Sequence, residues 1–375
     1  MSINTTCEPT LADKVAFLRK GATHGRVSDD VVAVETHMSW VFLAGDTVYK
    51  LKKPVRFPYL DYSTLKRREI ACLAEHQLNR RLAAPTYLRV APLCMSAKGL
   101  AIGGPGTVID WLVVMQRLDE TWLLDRAIAA GRVERARLDP VARLLVRFYR
   151  TAGRPFLSPA LHLREWERNV AVNHKILLDP RLNLPCGLIW RIDRAQRLFL
   201  ERRGALLAER VRAKLIVDGH GDLRPEHVWL GQPPQIIDCL EFNPRLRAVD
   251  PFDEVAYLSL ECERLGALWI GARIVRQVAL GLHQPLPNEV LTFYSCYRAT
   301  LRARLAIAHI LESQPRTPER WPMLARAYLR IAETEAAKLE RCFKTRGGRP
   351  VRDLHTGAGS RRPQSRRSAA RRSFP

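Results

Sequence analysis

The chain has 375 residues, enough for two domains with a core each, and its 47% hydrophobic and 26% charged content excludes general disorder. A formal net charge of +23 opens a nucleic-acid reading, because clustered Lys and Arg release counterions from phosphates, but the arginines are spread through helical segments without interleaved aromatics. No apolar run reaches the roughly 20 residues of a membrane span, the stretch 267–282 being broken by Arg273 and Arg276, and MSINTTCEPTLADK lacks the basic start and apolar centre of a secretory signal, so the expectation is a cytoplasmic protein.

Residues 1–28 are expected to form an N-terminal extension. Residues 29–53 read as a β-hairpin: 31–43 is rich in β-branched and aromatic residues, Ala44-Gly45-Asp46 supplies the turn, and 47–52 returns. Period-two alternation puts Val48, Lys50 and Lys52 on one face and Tyr49 and Leu51 on the other. His37, Trp40 and Tyr59 read as packing residues. Residues 63–82 form a helix that Ser63 or Thr64 can cap, with Ile70, Leu73, Ala74, Leu78 and Leu82 at helical spacing. Strands follow over 87–93 and 108–117, with 99–106 as the loop between them. The whole of 29–118 describes a small lobe of sheet plus helix.

After Leu118 the pattern turns helical. Asp139-Pro140 opens a helix by the N-cap and first-position rule, and long helices follow near 160–178 and 194–214. A strand–loop–strand region over 215–241 interrupts them. Helices then resume near Phe252 and run to Thr345, with breaks near 284–287 and 314–318. Residues 119–344 thus form a helical lobe, and 345–375, rich in Arg and poor in large apolar residues, is expected to be a disordered basic tail. The eight cysteines show neither C-x-x-C pairs nor zinc-type spacing and read as reduced thiols without a metal role.

The chemistry concentrates in 216–257, IVDGHGDLRPEHVWLGQPPQIIDCLEFNPRLRAVDPFDEVAY. His220-Gly221-Asp222 lies on a loop between short apolar runs, and Gln235-Ile236-Ile237 ends in Asp238. A hairpin of this loop length brings the two carboxylates to one edge. One can orient a hydroxyl nucleophile while the other holds a divalent metal on a phosphate.

H-G-D-L followed by I-I-D resembles the catalytic and metal loops of the aminoglycoside phosphotransferase family, relatives of protein kinases. The stretches ETHMSWVFLAGDTVYKLKKPVRFPYLDYSTLKRREIACLAEHQLNRRLAAPTYL and DCLEFNPRLRAVDPFDEVAYLSLECERLGA look like a narrower bacterial branch of it. Some members of that branch carry a second, P-loop domain, and the sequence has no G-x-x-x-x-G-K-[ST]. The resemblance covers roughly residues 25–340. It implies an α+β, protein-kinase-like bilobed fold and an ATP- and Mg²⁺-dependent phosphotransferase acting on a small-molecule hydroxyl.

Carried over by residue, Asp222 looks like the catalytic base and His220 like a scaffold residue of its loop. Asp238 looks like the Mg²⁺-binding aspartate. Asp250 and Asp253 match a structural D-x-x-D element that caps a helix and braces the catalytic loop. Where the family has a metal-binding Asn, five residues after the catalytic Asp, this chain has His227. Either His227 binds metal or phosphate in an altered way, or Glu226 takes part, or catalysis is weak or lost. Lys50 best matches the phosphate-binding lysine, with Lys52 as the alternative. Glu75 is its expected helix partner, with Glu69 as the alternative. No G-x-G-x-x-G is present, so the 43–47 turn would cover the nucleotide. Met115 to Leu118 fall at the lobe junction, where their backbone is placed to hold the adenine edge.

Three functions follow from this reading. The first is a phosphotransferase, whose acceptor the basic composition makes neutral or anionic rather than an aminoglycoside. The second is a nucleotide-binding regulator with an impaired site, and the third a nucleic-acid partner acting through the basic tail.

Overall fold

The computed structural model describes residues 8–26, 30–284, 287–311 and 317–344. The expected tail at 345–375 lies outside them. Within the stretch expected to be an extension, Thr10 caps helix α1 (Leu11–Leu18) by a reciprocal capping box with Asp13.

A six-stranded antiparallel sheet follows, in the order β1-β2-β3-β8-β6-β7. Its first members are β1 (Val32–Glu35), β2 (Ser39–Ala44) and β3 (Thr47–Lys52), so the expected single hairpin is three strands. The alternation across 31–43 hides a turn that Thr36 makes. Its side-chain oxygen accepts from the Ser39 N–H at 2.9 Å, and its own N–H donates to the Ser39 carbonyl at 2.8 Å. Gly45 turns β2 into β3 with φ at +61°, which an L side chain rarely adopts.

A short ribbon of β4 (Arg56–Phe57) and β5 (Leu60–Asp61) leads to α2 (Leu65–Ala83), capped by Thr64. Then come β6 (Tyr87–Ser96), β7 (Gly99–Ile102) and β8 (Thr107–Gln116). Strand β7 occupies part of the expected 99–106 loop. It pairs Leu93 with Ile102 after a tight reversal at Gly99, whose φ is +99°. Four residues are too few to show a period.

The sheet is covered on both faces. On one face, Val15 and Leu18 of α1 pack with Phe42, Leu51 and Leu112. On the other, Cys72 and Ala83 of α2 pack with Tyr87 and Val113. Buried Asp110 of β8 ties the two helices together, holding Lys14 of α1 at 2.9 Å and Arg68 of α2 at 2.7 Å. His37 and Tyr59 stack on Phe57, and Arg19 lies 5.3 Å over the Trp40 ring, as packing residues would.

The second lobe is mainly helical: α3 (Leu124–Ala129), α4 (Arg135–Thr151), α5 (Pro159–Leu177) and α6 (Cys186–Arg212) precede the chemical region. Helix α4 begins four residues ahead of the expected start at Asp139, and Pro140 lies inside it. The carbonyl that Pro140 leaves without a donor belongs to exposed Ala136, where water can replace the missing bond, and Asp139 instead pairs with Arg273 at 2.9 Å.

The chemical region holds β9 (Val217–Asp218), β10 (Val228–Trp229), β11 (Gln235–Ile236), the one-turn α7 (Pro244–Arg247) and β12 (Ala248–Val249). β10 pairs with β11 and β9 with β12, both antiparallel. Then α8 (Pro251–Arg264), α9 (Leu268–Leu282), α10 (Asn288–Ala308) and α11 (Arg320–Lys344) complete the lobe. The break at 265–267, where Gly266 has φ +79°, separates two helices that the apolar pattern joins. One aromatic-rich core unites these helices, with Trp166 edge-on to Phe293 and Tyr297 and Phe199 stacked on Phe293. No helix among the described residues is long and apolar enough to cross a membrane.

Candidate functional site

The site forms where β3, α2 and the 220–241 region meet. Lys50 lies opposite Val113 on the sheet face covered by α2, and Lys52 follows on the same face. From α2, Glu75 reaches both: one carboxylate oxygen is 2.8 Å from Lys50 Nζ and the other 2.5 Å from Lys52 Nζ. The two lysines diverge beyond this shared partner. Lys50 Nζ donates to Asp238 Oδ1 at 2.9 Å, whereas Lys52 pairs with Glu241, which also accepts from the Tyr62 hydroxyl. Lys52 and Glu75 are fully buried, and Lys50 is partly open toward Asp238. Glu69 stays on the surface helix face, 2.7 Å from Lys66.

Burial opposes charge on Lys50, but the carboxylates of Asp238, Glu75 and Glu241 outweigh it and hold the ammonium well above the usual lysine range. The Lys50 ammonium in turn holds Asp238 well below the carboxylate range. Asp238 is therefore ionised at neutral pH, and its side chain is half exposed. Its backbone is left-handed, φ +61°, unusual for a residue with a side chain. The first lobe fixes that conformation: the Asp238 N–H donates to Tyr87 Oη at 3.1 Å and the Cys239 N–H to Asn79 Oδ1 at 2.8 Å.

The loop carrying Asp222 is built around His220. This buried ring bonds the Ile237 carbonyl through Nε2 at 2.8 Å and takes the Asp222 N–H on Nδ1 at 3.3 Å. Burial and the neighbouring His227 push its pKa down to about 4, so it is neutral at neutral pH. The Gly221 N–H donates to Glu254 of α8, which also accepts from the Tyr149 hydroxyl at 2.9 Å. Asp250 caps α8 and pairs with Arg210, and Asp253 pairs with Arg298 at 2.7 Å. The expected helix cap is thus Asp250, while the carboxylate touching the Asp222 loop is Glu254.

Both oxygens of Asp222 are engaged. Tyr257 Oη donates to Oδ1 at 3.2 Å and Arg224 Nε to Oδ2 at 3.0 Å. Arg224 also reaches Glu226 at 2.6 Å, which places Glu226 behind the arginine. Burial raises the Asp222 pKa, but Arg224 and His227 overcome it and leave it lowered. The turn Pro225–His227 brings His227 between the two aspartates: Nδ1 is 2.8 Å from the Asp222 main-chain oxygen and Nε2 is 3.6 Å from Asp238 Oδ2.

At the lobe junction, Met115 pairs with Val48 and Tyr87 in the sheet, and the Arg117 N–H donates to the Asp46 carbonyl at 2.8 Å. That bond withdraws one backbone donor from the expected adenine-edge segment Met115 to Leu118. It also ties the segment to the 43–47 turn.

The sequence brings forward Lys50, Lys52, Glu75, His220, Asp222, His227 and Asp238, and the structure gathers them. Arg224, Glu241, Tyr62, Tyr87, Asn79 and Tyr257 were missed. Only Arg224 carried a signal, its place two residues after Asp222; the others are brought in by pairings with no sequence spacing. An open groove of about 670 Å³ between α4 and α9 is lined by Arg143, Arg147, Arg150 and Gln277 and contains none of these groups.

A divalent cation fits only a small donor set. No group of three or more His, Cys, Asp or Glu among the described residues is placed to hold one. Asp238 Oδ2 and His227 Nε2 make a pair that faces the same space, compatible with an ion that also takes phosphate oxygens.

No family model matches the chain. It is 32% identical over 287 residues to the uncharacterized protein Rv2004c of Mycobacterium tuberculosis and equally to the uncharacterized protein Mb2027c of Mycobacterium bovis. These matches cover 75% of this chain and 55% of each relative, so the chain spans about half the length of the curated relatives it matches. Among solved structures, the GDP complex of aminoglycoside 2'-phosphotransferase-IIIa overlaps 88% of this chain and 99% of its own at 15% identity and a TM-score of 0.49. A choline/ethanolamine kinase family protein from Mesorhizobium loti overlaps 84% of this chain and 88% of its own at 14% identity and a TM-score of 0.46. On its own strand order, its sheet lobe set against a helical lobe and the Lys50–Glu75 and Lys50–Asp238 pairs at their junction, the chain has the protein-kinase-like bilobed fold.

Proposed function

We propose that the chain is an ATP-dependent phosphotransferase of the aminoglycoside-phosphotransferase type, acting on a hydroxyl of a small molecule. The observation that carries this reading is Lys50, held between Glu75 and Asp238 with Asp222 on the neighbouring loop. Glu75 orients the ammonium, and the ammonium offers fixed positive charge to phosphate oxygens. Asp238 and His227 would hold the divalent cation, which neutralises phosphate charge when bound. Asp222 receives the acceptor hydroxyl. With its pKa lowered it is ionised at neutral pH and accepts the hydroxyl hydrogen bond, so it positions the nucleophile before it takes the proton.

The acceptor must compete with Arg224 and Tyr257 for the Asp222 carboxylate. Arg224 has Glu226 to withdraw to, and a guanidinium at this point, in a chain of net charge +23, favours a neutral or anionic acceptor over a polycation. The same occupied carboxylate favours a second reading, a nucleotide-binding regulator with little turnover.

Thermal unfolding with and without ATP, in the presence of Mg²⁺ or EDTA, tests the site. Ligand at 100 times Kd stabilises by about 2.7 kcal/mol. A cation-dependent rise in the midpoint that Asp238→Asn removes is the expected result. An acceptor screen follows, in which Asp222→Asn keeps the rise and abolishes turnover. A rise without turnover on any hydroxyl compound favours the regulator, and no rise with any nucleotide overturns both.

A further inference from the structure

We propose that His227 makes the cation position a mixed nitrogen–oxygen site, which takes a first-row transition ion such as Mn²⁺ in preference to Mg²⁺; this rests on the phosphotransferase reading of the same cluster. The first support is the orientation of the ring. Nδ1 lies 2.8 Å from the Asp222 main-chain carbonyl, which only accepts, so Nδ1 carries a hydrogen, and the tautomer this fixes has its lone pair on Nε2. A backbone carbonyl behind the distal nitrogen is the usual way a ligating imidazole is aimed. The ring is buried, 6% exposed, and its main-chain N–H is held by the Arg224 carbonyl at 3.0 Å, so it does not turn away into solvent.

The second support is what Nε2 faces. Asp238 Oδ1 is taken by Lys50, leaving Oδ2 as the open oxygen, and Oδ2 stands 3.6 Å from Nε2. That is too far for a hydrogen bond. It matches two donors on one ion, which at bond lengths of about 2.1 Å stand roughly 3–4 Å apart. Nε2 also takes a long hydrogen bond from Arg224 Nη2, at 3.4 Å, which an ion would displace, while Glu226 keeps hold of the guanidinium through Nη1.

Donor chemistry then sets the ion. Mg²⁺ dehydrates reluctantly and takes oxygen, whereas imidazole nitrogen gains affinity along the first-row series, and Mn²⁺ accepts nitrogen while keeping its preference for phosphate oxygen.

The test uses the full chain with ADP and Mn²⁺. Pulsed electron paramagnetic resonance of bound Mn²⁺ should show coupling to an imidazole ¹⁴N. His227→Asn should still bind Mn²⁺ through oxygen, lose that coupling and let Mg²⁺ displace Mn²⁺ more readily; His227→Gln serves if the first variant unfolds. Bound Mn²⁺ without imidazole coupling overturns the inference, as does equal Mg²⁺ competition in both proteins, or nucleotide binding with no bound ion. Each of those leaves the nucleotide site standing. Absence of any ATP- or ADP-dependent shift in the unfolding midpoint, with or without ion, is the separate result that removes the phosphotransferase reading too.

Discussion

Glu254 is an acid placed where water does not reach, accepting hydrogen bonds from Gly221 and Tyr149. Burial pushes its pKa up to about 7, against an ordinary value near 4.5. The sign follows from linkage: the folded protein holds this proton more tightly than the unfolded chain. The associated stability is complete below about pH 4.5 and is lost as pH rises through about 7. Glu254→Gln keeps the shape and removes the charge. We expect it to flatten the unfolding free energy between pH 5 and 8, and to exceed the wild type by up to roughly 3 kcal/mol above pH 7. Denaturant titrations of both proteins across that range check it. An unchanged slope would place the proton elsewhere.

At the scale of elements, β3 and α2 are joined through charge as much as through packing. Lys52 is 1% exposed and holds both Glu75 and Glu241, so replacing it leaves buried Glu75 with Lys50 alone and Glu241 with only the Tyr62 hydroxyl. Lys52→Met is expected to destabilise by about 3–5 kcal/mol. Lys50→Met should cost less in stability, because its end opens toward half-exposed Asp238, and should instead abolish the nucleotide-dependent shift. Denaturant unfolding with and without ATP separates the two; equal losses from both would refute this division. Alternation along 47–52 was enough to put both lysines on one face. It could not choose between them, because Glu75 takes both. Element boundaries were legible where a period was long, as in α2 and α5. They were not at the Thr36 turn, at β7 or at Pro140, where a side-chain hydrogen bond, a four-residue strand and a solvent-facing carbonyl leave no periodic trace.

For the molecule as a whole, the two-lobed plan was readable from the change of period near Leu118, and Asp222 and Asp238 from their place beside short apolar runs. The supporting shell was not, since Tyr87, Asn79, Tyr257 and Glu254 meet the loops across 33 to 160 residues of chain. A basic segment at 345–375 contributes strongly to the net charge of +23. A chain ending at residue 344 is expected to keep any nucleotide-dependent rise in unfolding midpoint while losing most of its salt-sensitive binding to polyanions. Polyanion binding of equal strength in both forms would move that property to the lobes. Tyr87 and Asn79 hold the backbone of Asp238 and Cys239, so the first lobe sets part of the site's geometry from across the junction. Separated at residue 118, the leading piece would carry Lys50 and Lys52 with Glu75 as their one remaining shared carboxylate, and the trailing piece would carry Asp238 in a left-handed turn without the Tyr87 and Asn79 hydrogen bonds, tied through Ile237 and Leu240 to His227 and His220. The charged cluster around Lys50 is complete only with both lobes in place.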